Sequence, residues 1–281
     1  MYYKKILSEK YYNLDNIAKE NLQNYKTNKP FPNIFFDNFF NEDFLFKVRD
    51  EFPDLSKKKD AEIYNNNNEL KLTSNSYELF EEHTRSCFDF LNSKVFLKFL
   101  NKLTSIEEGL ISDPYLSGGG LHEIKKGGLL KIHTDFNKHG RVELDRRLNV
   151  IVYLNPNWKE DYGGHLEFWD KKMKAPIKKI LPIFNRLAIF STNDFSNHGH
   201  PEALSCPEDM SRKSLALYYF SNGRPKNELV LSRMRLGTFF KDREGIKGDV
   251  DFKYSKVRLF LMRFAFYQYL RHIRDKFFKK N

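Results

Sequence analysis

Cysteine is nearly absent from this sequence: of 281 residues only Cys87 and Cys206 carry a thiol. Two thiols cannot build a disulfide framework or a cysteine-rich zinc site, and they are read as reduced groups of a cytoplasmic protein. Long apolar runs are missing too. No stretch of 18 uncharged apolar residues occurs, which excludes a membrane-spanning helix. The opening Met1-Tyr-Tyr-Lys-Lys-Ile6 lacks the apolar core of a signal peptide. Internal repeats are not found. With 40% apolar and 30% charged residues, the composition also excludes a mostly disordered chain, a collagen and a coiled-coil rod. What is abundant is aromatic and basic: 27 Phe and 15 Tyr, with 48 Lys+Arg against 37 Asp+Glu for a net charge of +11. With 40% apolar residues the composition is globular and long enough to bury a large core.

Texture divides the chain into four expected segments. Residues 1–27 read as a polar lead-in. Residues 28–110 read as a helical support region packed on the core. It begins with a short strand at Pro30–Asp37 and a helix after Asn41, whose side chain suits an N-cap. Phe44, Leu45 and Val48 mark the buried face of that helix, and Pro53 stops it. Within this region residues 56–75, polar and with an Asn65–Asn68 run, read as a surface loop. Residues 111–225 turn β: Leu148–Leu154 is a β-branched apolar run suited to a central strand, and Leu187–Phe190 and Leu215–Phe220 follow. Short strands between Gly, Asn and Pro turns indicate a sandwich or barrel. Residues 226–281 form a C-terminal extension.

One pattern carries chemistry. In His133-Thr-Asp135 an imidazole and a carboxylate are two residues apart, so on a strand they project from one face. A second histidine arriving from another strand would complete a 2-His-1-carboxylate facial triad. Such a triad leaves open positions on Fe(II). His198-Gly-His200 supplies two candidates, and both point the same way in an extended segment. Arg212 then opens a strand with Ser214 on the same face. A guanidinium there could hold a carboxylate through two parallel bonds, which lysine cannot match.

The stretches Gly118–Ile124, His133–Asp135, Arg146–Asn155, Gly163–Leu166, His198–Pro201 and Arg212–Tyr219 resemble, in order, the iron- and 2-oxoglutarate-dependent dioxygenases, specifically the prolyl 4-hydroxylase-like group. The likeness runs over residues 118–220, with Pro30–Asp37 similar to that group's lead-in. It implies a mainly β fold with flanking helices (α+β) and a double-stranded β-helix, or jelly-roll, core. It further implies His133, Asp135 and His198 as metal ligands, and Arg212 with Tyr153 and Ser214 on the distal carboxylate of 2-oxoglutarate. Leu166 would be an apolar wall of the same pocket. Fe(II) would be the cofactor, 2-oxoglutarate and O2 the cosubstrates, and ascorbate an accessory reductant. The activity implied is hydroxylation with release of succinate and CO2. A carboxylate at Asp135, rather than a small residue, favours hydroxylation over halogenation. The chain departs from the group at His122-Glu123, where a tyrosine is common.

Other residues have plainer readings. His122, Glu123, Arg146, Asn149 and His200 are candidate substrate contacts. His139 reads as a loop residue over the site mouth, and Arg146 and Arg147 as strand-end groups open to solvent. Residues 256–281 carry eight basic side chains against Asp275 alone, a net of +7, with Leu259, Met262, Phe266, Leu270, Ile273 and Phe277 at helical spacing. Such a helix either lies on an anionic membrane or docks its apolar face on the barrel. The remaining +4 is ordinary, and no nucleic-acid-binding motif is present. The substrate is expected to be a small molecule, a glycan or a peptide. A cupin-like jelly roll that binds a metal or ligand without oxygenase activity is the competing expectation. The protein is placed in the cytoplasm, peripheral to a membrane if the tail binds lipid.

Overall fold

The computed structural model describes residues 2–225 and 237–251. Its helices are Leu14–Thr27 (α1), Glu42–Asp50 (α2), Glu82–Leu91 (α3) and Lys94–Thr104 (α4). The strands, in chain order, begin with Asn33–Asp37 (β1), Glu62–Asn66 (β2), Glu69–Ser74 (β3), Ile111–Ser112 (β4) and Gly120–Lys125 (β5). Leu130–Thr134 (β6), Asp145–Tyr153 (β7), Leu166–Trp169 (β8) and Pro176–Ile180 (β9) follow. Arg186–Ser191 (β10), His198–His200 (β11), Ser211–Ser221 (β12) and Phe239–Phe240 (β13) complete the set.

All pair antiparallel in one sheet, ordered β1-β10-β7-β12-β5-β3-β6-β11-β8-β9, with β2, β4 and β13 attached to β3, β12 and β6. The β-branched run expected at the centre of the sheet is β7, flanked by β10 and β12. Sheet order explains the curl. The long strands β7, β12 and β5 form one wall, the short strands β6, β11 and β8 the facing wall, and β3 joins them. The result is the jelly-roll core expected from the sequence.

Helices cover the outside of the long wall. Asn41 caps α2 by accepting from the Phe44 amide at 2.9 Å, as its position predicts. Leu45 and Val48 are buried there. Phe36, Phe39, Phe40, Phe90, Phe96 and Phe99 meet in one cluster, with Phe90–Phe96 and Phe96–Phe99 ring centroids each 5.5 Å apart. That cluster absorbs much of the aromatic excess. Tyr219 ties it to the sheet by donating its hydroxyl to the Leu91 carbonyl at 2.8 Å.

Two expectations need correction. Residues 56–75 are not a loop: β2 and β3 make a hairpin, and β3 pairs with β5. The asparagine run is the hairpin's turn, where the Asn66 side chain accepts from the Asn68 and Glu69 amides. Polar side chains hid the hairpin because much of it is exposed, so no apolar alternation was written into it. Residues 1–27 are more than a polar lead-in: Ile6, Leu7, Tyr11, Leu14, Ala18 and Tyr25 are buried in the main core. The basic amphipathic helix expected over 256–281 lies outside the described residues. No helix among those described is long and apolar enough to cross a membrane.

Candidate active site

The facing pair β6 and β11 brings His133 and His198 into direct register. Their ring centroids stand 4.4 Å apart. Asp135 follows the end of β6, with carboxylate oxygens 3.7 Å from His133 Nε2 and 3.4 Å from His198 Nε2. One ligand atom from each of the three lies within 4.8 Å of the others, and all three residues are buried. Each imidazole is held the same way. His133 Nδ1 meets the Lys131 carbonyl at 2.8 Å and His198 Nδ1 the Ser196 carbonyl at 2.9 Å. A carbonyl can only accept, so each Nδ1 carries the proton and each Nε2 turns its lone pair to the centre. Two imidazole lone pairs and a carboxylate converging in a buried space fit a divalent cation. Burial pushes the His198 pKa down to about 4, keeping the ring in its ligating form.

Asp135 is itself held. Its Oδ2 accepts from Arg146 Nη2 at 3.0 Å and from Asn149 Nδ2 at 2.8 Å. Burial alone would raise this carboxyl, but the Arg146 charge, helped by the two histidines, outweighs it and holds the group well below the usual carboxylate range. Asn149 Oδ1 accepts from Arg146 Nη2 at 2.6 Å, closing a three-residue network. The Arg146 guanidinium lies between aromatic rings, 3.3 Å from the Tyr218 centroid and 4.3 Å from that of Phe136. The expectation that Arg146 and Arg147 are open to solvent is therefore corrected: Arg146 is fully buried and Arg147 nearly so.

A cavity of about 270 Å³ runs from the triad to Arg212, lined by His122, Leu166, His200, Ser214 and Tyr218 among others. Ser214 lies opposite both Tyr153 and His122 in register, so the three share one row across β5, β12 and β7. Arg212 donates from Nε to the Gly164 carbonyl at 2.8 Å and from Nη2 to the Tyr153 hydroxyl at 3.3 Å. Both partners are neutral, and burial lowers the arginine's pKa while raising that of Tyr153. Among the described residues this buried cation has no carboxylate partner. Gly164 makes room for it: at φ +72°, a Cβ there would stand 3.0 Å from Arg212 Cδ and 2.7 Å from Leu204 Cδ2.

Most of the residues expected at the site thus converge, and one does not. Glu123 is on the far face of β5. Its carboxylate accepts from the Leu55 amide at 3.3 Å and from Ser211 Oγ at 2.8 Å, and it pairs with Lys213 at 3.4 Å. Alternation along the strand turns it away when His122 and Ile124 turn in. His139 does lie in the loop between β6 and β7, but it is buried rather than placed over the mouth, 3.1 Å from Ser117 Oγ and 3.3 Å from Asp113. His165 is satisfied by Glu160 at 2.6 Å, and the Cys206 thiol is buried against the Met210 carbonyl. Asn149 faces the cavity, but its amide is occupied in bracing Asp135. His200 and His122 line the cavity with nitrogens that have no hydrogen-bond partner among the described residues: both ring atoms of His200, and Nε2 of His122. Burial puts the His122 pKa at about 3 and holds His200 well below the usual imidazole range. Sequence reasoning missed Tyr64, Glu69 and Lys71, which line the cavity from the β2–β3 hairpin. A larger hollow of about 470 Å³ over Arg147 and Arg224 contains none of the residues assigned to the site.

Residues 119–220 match a family model described as the 2OG-Fe(II) oxygenase superfamily. The chain is 27% identical over 191 residues to a Xenopus laevis protein named prolyl 3-hydroxylase OGFOD1, covering 63% of this chain and 32% of that one. Its mouse counterpart is 34% identical over 79 residues, covering 27% of this chain and 14% of the other. The chain therefore spans about a third or less of the curated relatives it matches. Among solved structures, a Trichoplax adhaerens prolyl hydroxylase in complex with a hypoxia-inducible-factor peptide superposes with a TM-score of 0.53 at 17% identity, covering 74% of this chain and 90% of that one. A Phytophthora capsici prolyl 4-hydroxylase gives 0.52 at 16%, covering 96% and 78%. These two share the fold.

Proposed function

We propose that residues 119–220, which match a family model described as the 2OG-Fe(II) oxygenase superfamily, form such an oxygenase domain, and that the protein is an Fe(II)- and 2-oxoglutarate-dependent dioxygenase that hydroxylates its substrate. The observation that carries the reading is the pairing of two sites in one cavity: a buried His-Asp-His cluster at one end and a buried arginine with only neutral described partners at the other. A binding protein of the cupin type would have no use for that second site.

In this reading His133, Asp135 and His198 hold Fe(II) through Nε2 and carboxylate oxygen. Arg212, Tyr153 and Ser214 receive the distal carboxylate of 2-oxoglutarate, and Leu166 walls the pocket. When bound, iron supplies O2 activation coupled to decarboxylation of 2-oxoglutarate to succinate and CO2, with one oxygen atom delivered to substrate. The chain's own contribution is placement. The Lys131 and Ser196 carbonyls fix both tautomers, Arg146 and Asn149 fix the carboxylate, and burial excludes water. Asp135 stays ionised and His198 neutral, so neither has to release a proton as the site fills. We assign the substrate to the peptide class, a prolyl side chain in a protein, on the names of the relatives. Arg146 Nη1, buried against the cavity without a described partner, suits a carbonyl acceptor on that peptide.

Anaerobic Fe(II) titration tests the centre. Adding 2-oxoglutarate is expected to produce a visible charge-transfer band that is absent in His133→Ala and His198→Ala. Arg212→Ala should weaken 2-oxoglutarate binding while leaving metal binding largely intact; absence of any 2-oxoglutarate-dependent band in the parent protein would refute the reading. For the substrate, mass spectrometry of proteins from cells with and without the enzyme should show a gain of one oxygen on proline. A gain found only on small molecules or glycans would overturn the peptide assignment.

A further inference from the structure

Three histidines near the centre differ in what holds their rings. His133 and His198 each spend Nδ1 on a backbone carbonyl. His200 is 4% exposed, and among the described residues neither of its nitrogens has a hydrogen-bond partner. Its tautomer is therefore unfixed, and the ring can present an N–H on whichever side an acceptor arrives. A buried polar group with no partner is costly to keep, so such groups in native proteins mark a position where something else binds.

His200's position is set by an irregularity in the sheet. Along β11, His198 pairs with His133 and His200 with Leu130, so two steps on β11 match three on β6. Gly199 permits this: a Cβ there would lie 2.7 Å from the Leu130 carbonyl oxygen and 2.8 Å from that of Lys131. The strand is pressed against its neighbour, and its two histidines share one cavity with Arg212 and Ser214.

We infer that His200 is a further cosubstrate-binding residue, donating an imidazole N–H to an oxygen of the bound 2-oxo dicarboxylate between the triad and Arg212. The inference rests on the dioxygenase reading above and deepens it. The contact belongs to the unpinned ring: His198, held by Ser196, can offer only its lone pair, whereas His200 can offer a proton. His122 places its unbonded Nε2 on the neighbouring strand wall, in the row of Ser214 and Tyr153. The part of the cavity nearest the dicarboxylate is thus polar on two sides.

The test is anaerobic titration of the Fe(II) protein with 2-oxoglutarate, alongside Mn(II) binding followed by electron paramagnetic resonance. His200→Val should raise the Kd for 2-oxoglutarate about tenfold, the effect of about 1.4 kcal/mol, with Mn(II) affinity unchanged. His200→Gln, which keeps a donor, should recover part of the loss. In parallel, the Zn(II) protein labelled with 15N-histidine should show the His200 ring resonances, assigned from the His200→Gln spectrum, moving when 2-oxoglutarate is added. Unaltered cosubstrate affinity in folded His200→Val overturns the inference. So does equal loss of metal and cosubstrate binding, since the change then acts by displacing His198. If the valine variant does not fold, ring resonances unmoved at saturating 2-oxoglutarate overturn it instead. Failure of the parent protein to bind 2-oxoglutarate would sink the dioxygenase reading itself, a separate result.

Discussion

Arg146 and Asn149 show how residues can be singled out in the sequence, as candidate substrate contacts, while the role they take, bracing Asp135, is not legible there. Strict alternation along β7 puts Asn149, Ile151 and Tyr153 on one face and would add Arg147 to it. The register with β12 instead slips between Tyr219 and Phe220, so Leu148 and Arg146 oppose consecutive residues of β12. That bulge turns Arg146 into the cavity and sends Arg147 outward to Glu108, at 2.9 Å. The triad and Arg212 were legible because their signals are residue type and short spacing. The brace around Asp135 was not, because a bulge leaves no mark in composition. Two predictions belong at this scale. Gly164→Ala places a Cβ into Leu204 and Arg212 at φ +72°, at a backbone cost of about 1–2 kcal/mol. Calorimetry should find weaker 2-oxoglutarate binding with metal binding retained; equal loss of both would contradict the placement of Arg212. The second concerns acid. His122 is held to a pKa of about 3 and His198 to about 4, both by burial, whereas an unfolded imidazole titrates near 6.5. As pH falls through roughly 6.5 the unfolded chain takes up protons first, so the metal-free protein loses stability downward from there toward pH 3–4. Urea midpoints across pH 7 to 4 check this, and a rise on acidification to pH 5 would contradict it.

At the scale of elements, the two histidines of the buried cluster sit on short strands, β6 and β11. β11 has three residues, and its path depends on the near contact of Gly199 with two carbonyl oxygens of β6. Backbone oxygens cannot turn aside as a side-chain tip can. Gly199→Ala is therefore expected to cost about 1–3 kcal/mol of stability and to lower metal affinity by moving both histidines; thermal melts with and without Mn(II) measure both effects. A variant with wild-type melting would mean the strand has slack. The central strand β7 was legible from its β-branched run, and α2 from its cap and apolar face. The β2–β3 hairpin was not: Ile63 is 65% exposed and the turn is asparagine, so burial left no alternating pattern to read.

At the scale of the whole molecule, charge and aromatics divide by region. The phenylalanine excess was legible as a number, but its purpose was not. It fills the seam where the helices meet the long wall of the sheet, a contact between segments distant in sequence. The net charge of +11 resides mostly in residues 256–281, at +7. We propose that this segment meets anionic lipid. Flotation with phosphatidylserine vesicles should carry the full chain upward and leave a variant lacking 256–281 at the bottom, with salt reversing the effect. Equal flotation of both would end the proposal.

The pinned imidazoles described above have a consequence for metal supply. Carbonyls set both tautomers, and an arginine and an asparagine aim the carboxylate, so the three donors stand ready before any ion arrives. A ready-made nitrogen–oxygen cage ranks ions by intrinsic affinity, and on that scale copper, nickel and zinc all stand above ferrous iron. Rigidity that favours fast chemistry therefore also invites mismetallation. In the proposed enzyme, iron occupancy becomes a matter of which ion the cell keeps plentiful, and the fraction of active protein a readout of that supply.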